Sequence, residues 1–148
     1  MRPIEQLIIH CAATKPSMDI GAAEIRQWHL GNGWSDIGYN YVIRRNGLIE
    51  NGRDLDRDGN VDEEVGAHAK GFNARSIGIC LVGGLNQAGQ PAPEFTEAQF
   101  TALNGLLAGL RIRYPNTEIL GHRDLPGVAK ACPSFDVRHW LNTGLVRP

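Results

Sequence analysis

The chain has 148 residues, enough for one domain with a real core, since 42% of it is apolar. Charged residues are 21% and the net charge is −1, so the sequence shows no broad basic footprint of a non-specific nucleic-acid binder. No stretch of about 18 apolar residues suggests a transmembrane anchor, and only Leu7-Ile8-Ile9 separate Glu5-Gln6 from His10 at the start, too little for a secretory leader. The expectation is a soluble protein made in the cytoplasm without a signal peptide. Three cysteines, Cys11, Cys80 and Cys132, make an odd count that argues against a disulfide framework.

In chain order, Gln6 to Ala12 reads as a buried strand that carries His10 at its end. A helix is expected from about Ile20 to Leu30, capped by Asp19, with Ile25, Trp28 and His29 on one face. Tyr39 to Ile43 alternates as a strand, which would put Tyr39 and Tyr41 on the same side. Asn46-Gly47 signals a two-residue hairpin, with Leu48 to Glu50 returning as the partner strand. An acidic insertion follows from Asp54 to Glu64. Ser76 to Val82 is a nearly continuous apolar strand, expected at the sheet centre and ended by Gly83-Gly84.

Thr96 and Gln99 form a capping box ahead of a stripe of Phe100, Leu103, Leu107, Leu110 and Tyr114 at helical spacing. Pro115 closes that helix. Thr117 to Leu120 is a short strand ending at Gly121-His122, and Ser134 is expected to cap a last helix from Phe135 to Leu141. Without repeats or linkers, the pattern predicts a single α/β domain over 1–148, a mixed central sheet flanked by helices.

His10, His122 and Cys132 stand out as possible ligands of one metal, each expected where a strand runs out into a polar loop. Zinc takes imidazole nitrogen and thiolate sulfur at about 2.0–2.3 Å, and three protein ligands with a fourth corner open is the catalytic pattern. Spacings of 112 and 10 residues match no short metal motif, and a strand-end histidine is more often an ordinary hydrogen-bonding residue.

A resemblance sharpens this reading. His10-Cys11-Ala12-Ala13-Thr14-Lys15-Pro16-Ser17, Glu24 to His29, Gly38-Tyr39, Gly66 to Gly71, Ser76 to Gly84 and Lys130 to Asp136 resemble, in order, segments of the N-acetylmuramoyl-L-alanine amidases of the bacteriophage lysozyme type, whose relatives include peptidoglycan recognition proteins. The resemblance implies a zinc site of His10, His122 and Cys132 at one edge of a surface groove, with Tyr39 and Lys130 as catalytic partners. Tyr41 competes for the tyrosine role. It places His68 and Asn73 along the substrate groove. It implies hydrolysis of the amide between N-acetylmuramic acid and L-alanine in peptidoglycan by a phage or prophage endolysin, which reaches the wall after release through the membrane. The protein is expected to be a monomer.

Two other functions remain open at this point. One is a peptidoglycan-binding recognition module without catalysis, although such relatives often lack the cysteine ligand. The other is binding of a phage RNA polymerase, a role one member of the resembled family has. Cys80 stands where some relatives carry a glutamate, which weighs against a carboxylate base and for a tyrosine–lysine mechanism. Separately, Asp54, Asp56, Asp58 and Asp62, with Gly59 at the turn, match most of a calcium-loop pattern. Position twelve, however, is Val65, and a solvated acidic hairpin loop is the plainer reading.

Overall fold

The computed structural model describes residues 2–148. Five strands form one mixed sheet in the order β3-β2-β4-β1-β5. They are β1 (Gln6–Cys11), β2 (Tyr41–Ile43), β3 (Ile49–Asn51), β4 (Ser76–Leu81) and β5 (Glu118–Gly121). Only β2 and β3 pair antiparallel; β1 runs parallel to both β4 and β5, and β2 parallel to β4. Parallel strands covered on both faces need apolar residues at nearly every position, and β4 is buried from end to end.

Alternation sorts these residues onto two faces. Leu7, Ile9, Ile43, Ile77, Ile79 and Leu81 pack against Leu103, Leu107 and Leu110 of α2 (Glu97–Arg113), Trp140 of α3 (Val137–Thr143) and Phe135 just before α3. On the other face, Val42, Cys80 and Val82 meet α1 (Ala22–Gly31) through Ala22 and Ile25. Ile8 and Leu120 meet Ala69 and Leu125 on that same side. His10 follows Ile8 by two and is paired in register with Cys80, so it too belongs to the α1 face.

The capping box of α2 is present: the Thr96 hydroxyl accepts from Gln99 N at 3.1 Å and the Gln99 carboxamide accepts from Thr96 N at 3.0 Å. Such a cap is worth about 1 kcal/mol. The buried Gln99 amide also donates to Ile43 O and Val82 O, the carbonyls where β2 and β4 run out. The first helix starts later than its sequence suggests. Gly21 is its cap, with Glu24 accepting from Gly21 N, while Asp19 lies near Arg44 instead. Trp28 is exposed, so only Ile25 and His29 of the expected trio face inward. The last helix is capped by Asp136, which accepts from His139 N; Ser134 is committed elsewhere, donating to Gly84 O.

The β2–β3 connection is a turn in which Gly47 N donates to Arg44 O, with Arg45 and Asn46 at its corners. Gly47 has φ +88, the left-handed value that makes it the bulge residue closing a three-residue loop rather than the corner of a two-residue one. A second bulge matters more. The consecutive carbonyls of Tyr39 and Asn40 both accept from one neighbouring segment, from Arg53 N and Gly52 N. A regular ladder alternates sides, so this doubling breaks the alternation just before β2. Tyr39 therefore joins the α1 face and Tyr41 the α2 face, not a shared side. The Asn40 side chain completes the break by accepting from Gly78 N and donating to Val61 O and Glu64 O.

Arg2 stitches two loops together, donating to the carbonyls of Asp62, Glu63, Glu64, Asn73 and Ala74. Among the described residues no helix is long and apolar enough to cross a membrane.

Candidate metal centre and groove

The carboxyl ends of adjacent parallel strands commonly open onto a binding crevice. His10 is the next-to-last residue of β1, and His122 directly follows β5, its neighbour in the sheet. Their ring centroids are 4.6 Å apart. Cys132 does not sit at a strand end; it lies in the loop before α3 and is brought in by backbone bonds. Arg123 N donates to Cys132 O at 2.9 Å, and Cys11 N donates to Cys132 Sγ at 3.3 Å. Each loop is thus tied to the turn that carries one of the histidines. One ligand atom from each of His10, His122 and Cys132 lies within 4.8 Å of the others.

The donor set fits zinc. His10 Nδ1 is 3.8 Å from Cys132 Sγ. Ligands at zinc bond lengths and tetrahedral angles are separated by roughly 3.5 Å. Burial, and then the charges of His68, His122 and Lys130, hold His10 well below the ordinary histidine range; burial and Lys130 do the same to His122. Both rings are therefore neutral near pH 7, the form that binds metal. The neighbouring Cys11 thiol and burial push Cys132 up. A dication is the local charge that would reverse that shift and hold a thiolate.

Tyr39 stands beside this cluster, its ring centroid 5.2 Å from that of His10. Burial first, and then the three cysteines, push its phenol well above the usual range, so it is a hydrogen-bond donor at neutral pH. His29 supports it from behind: the rings lie 5.6 Å apart, and His29 Nδ1 accepts from Gly38 N at 2.9 Å. Tyr41 is remote in function, because its hydroxyl donates to Asp62 on the opposite face.

A cleft of about 640 Å³ opens beside the cluster, with His68, Asn73, His122 and Lys130 among its walls. Lys130 is exposed, and its charge bears on both His10 and His122. Asn73 serves the wall itself: its Oδ1 accepts from His68 N and Ala69 N at 3.0 and 2.9 Å. His68 is buried, with one ring nitrogen 2.8 Å from His10 Nε2 and the other 3.4 Å from Ser76 Oγ. It thus reaches the groove wall with both nitrogens facing inward partners rather than free for substrate. Sequence reasoning missed Trp34, 40% exposed at the groove, its ring tilted against that of His29 with centroids 4.5 Å apart. An aromatic residue stranded in a polar turn between Gly33 and Asp36 was the available signal.

Of the four aspartates that match the calcium-loop pattern, only three come together. Carboxylate oxygens of Asp54, Asp56 and Asp58 lie within 4.8 Å of one another. Asp62 leaves them. It is 2% exposed and accepts from Tyr41, Arg113 and Tyr114, closing the insertion onto β2 and the end of α2. The remaining acids fold the loop on themselves, Asp54 accepting from Gly59 N and Asp58 from Asn60 N, both at 2.9 Å. A second cleft of about 540 Å³ beside this loop includes none of the three candidate metal ligands.

Residues 1–135 match the family model described as N-acetylmuramoyl-L-alanine amidase. The chain belongs to that amidase family. Among curated relatives, an endolysin of Enterobacteria phage K11 is 50% identical over 139 residues, covering 94% of this chain and 86% of the relative. An endolysin of Escherichia phage T7 is 44% identical over 136 residues, with 92% and 84% covered. Among solved structures, the amidase LysC from Clostridium intestinale superposes with a TM-score of 0.71 at 30% identity, covering 89% of this chain and 77% of the other. The α/β architecture is that of these amidases.

Proposed function

We propose that this amidase holds one zinc ion on His10, His122 and Cys132 and hydrolyses the bond between N-acetylmuramic acid and L-alanine of peptidoglycan as a phage-type endolysin. The observation that carries the reading is the convergence of two imidazoles and one thiol beside a groove whose wall includes His122 and a lysine. Endolysins at 50% and 44% identity support the substrate and the setting.

Amide hydrolysis needs an activated water, relief of charge on the carbonyl oxygen, and a proton for the leaving nitrogen. Zinc bound by this set would supply a Lewis acid and a water whose pKa falls from about 16 towards 7. The chain supplies the rest. The hydroxyl of the half-buried Tyr39, kept protonated, donates a hydrogen bond to the oxyanion as it develops. Lys130, at the groove, offers a cation to the same oxygen. Cys80, fully buried and pushed up by burial, remains a thiol and takes no part as a base.

Metal analysis of the purified protein, paired with Cys132→Ser and with release of soluble stem peptides from purified murein, tests the reading. One zinc per chain, lost together with activity in Cys132→Ser, is expected. Stoichiometric metal with no stem peptide released would make the chain a recognition module. Full activity without metal would overturn the proposal.

A further inference from the structure

His68 sits behind the candidate ligand His10, and a chain of four groups runs from it into the backbone. Ser76 Oγ donates to Phe72 O at 2.7 Å. A hydroxyl has one proton, so the Ser76 oxygen faces His68 only as an acceptor. His68 Nε2, 3.4 Å from that oxygen, must then carry the hydrogen. A neutral imidazole has one N–H, which leaves His68 Nδ1 as a lone pair. That lone pair lies 2.8 Å from His10 Nε2, so His10 in turn is protonated on Nε2. The remaining lone pair of His10 is on Nδ1, the atom 3.8 Å from Cys132 Sγ.

Each link is held in place. Gly78 of β4 leaves room for the imidazole: a Cβ there would come within 2.7 Å of three His68 ring atoms. The backbone on either side of His68 is fixed by Asn73 Oδ1, which accepts from both His68 N and Ala69 N. The polarity of the chain is set by a peptide carbonyl, which can only accept.

We infer that His68 is a positioning residue: it accepts the Nε2 proton of His10 and so presents the His10 Nδ1 lone pair to the metal. The inference rests on the zinc reading of His10, His122 and Cys132. Outer partners of this type fix ring orientation and basicity, and losing one typically costs about 10- to 100-fold in metal affinity.

The test has two arms. In the first, two-bond proton–nitrogen NMR on the ¹⁵N-labelled, metal-free native protein reads the tautomer of each ring. The Nε2–H form is expected for both His10 and His68, and an Nδ1–H form of His10 overturns the inference. In the second, chelator competition measures zinc affinity in His68→Ala, His68→Asn and Ser76→Ala. His68→Ala should bind zinc about 10- to 100-fold more weakly. His68→Asn, whose Oδ1 takes the place of Nδ1 as acceptor, should recover most of that loss, and Ser76→Ala should lose less than His68→Ala. Native affinity in His68→Ala, with only KM for murein changed, would make His68 a substrate contact and overturn the inference. If His68→Ala does not fold, the tautomer and His68→Asn still decide. Absence of zinc from the native protein would sink the metal reading and the part of the inference that rests on it, whereas an Nδ1–H form of His10 in a zinc-binding protein would sink the inference alone.

Discussion

Asp62→Ala separates a folding role from a metal role in the acidic insertion. The Asp62 carboxylate is 2% exposed and accepts from the hydroxyls of Tyr41 and Tyr114 and from Arg113. Removing it strands two phenols, Tyr114 buried and Tyr41 half-buried. Each buried donor left without a partner costs about 1–3 kcal/mol. The Arg113 side chain is 59% exposed, so its ion pair adds at most about 1 kcal/mol after screening by water. The sum is about 2–7 kcal/mol. Asp62→Asn keeps an acceptor for one phenol and should lose about 1–3 kcal/mol. Urea unfolding of the zinc-loaded protein, with and without added calcium, measures both. The losses should be the same in either condition, and zinc stoichiometry should be native. A loss under 1 kcal/mol, or one seen only when calcium is present, would refute the placement of Asp62 between β2 and α2.

The two tyrosines should part company in the same way. Tyr39→Phe removes a donor at the metal site and should lower kcat about 10²- to 10³-fold with zinc content unchanged, whereas Tyr41→Phe should leave kcat native and cost about 1–2 kcal/mol of stability; equal losses of activity would contradict the bulge that separates them. Burial, with the charges of His122, Arg2 and Arg53, lowers His68 to about 3, and His10 is lowered as well. Both stay neutral in the fold while the unfolded chain takes up protons near pH 6.5. The stabilisation is complete above that pH and is lost as pH falls toward the folded values, at about 1.4 kcal/mol per pH unit for each ring. The metal-free protein should therefore lose up to about 4 kcal/mol between pH 6.5 and pH 5, and His68→Asn should show a shallower slope; a flat profile in chelator would refute neutral, buried rings.

What could be read in advance divides along physical lines. Period-two and period-3.6 patterns depend on local chemistry, so β1, β4 and α2 stand close to where their apolar residues put them, and His10 lands at the carboxyl end of β1. The capping box at Thr96 and Gln99 is likewise a local rule, and it holds. Misplacements arise where a distant group intervenes. Tyr39 and Tyr41 should share a face by alternation, but Gly52 and Arg53, arriving from the far side of the hairpin, take two consecutive carbonyls and turn one residue over. Asp62 reads as one more acid in an acidic run until α2, about fifty residues later, supplies Arg113 and Tyr114.

The same distinction explains why the candidate metal ligands could be named from a resemblance while the supporting role of His68 could not. A ligand must be a histidine or cysteine of particular reach, so its identity survives as a motif. A supporting group has only to offer an acceptor at one point, and its candidacy depends on three-dimensional facts: a glycine in β4 that leaves a gap, a serine whose proton is already committed, and a carbonyl at the end of the chain. None of these has a sequence signature of its own. The resemblance puts His68 along the groove, and His68 does stand in the groove wall. Its surroundings turn it inward, where a hydrogen bond through one nitrogen decides which nitrogen of His10 remains free. On the proposed reading, the groups that act on substrate, Tyr39 and Lys130, are separate from the groups that set the ligand geometry. Substitutions at His68 and at Tyr39 should then fail differently, the first in metal affinity and the second in turnover.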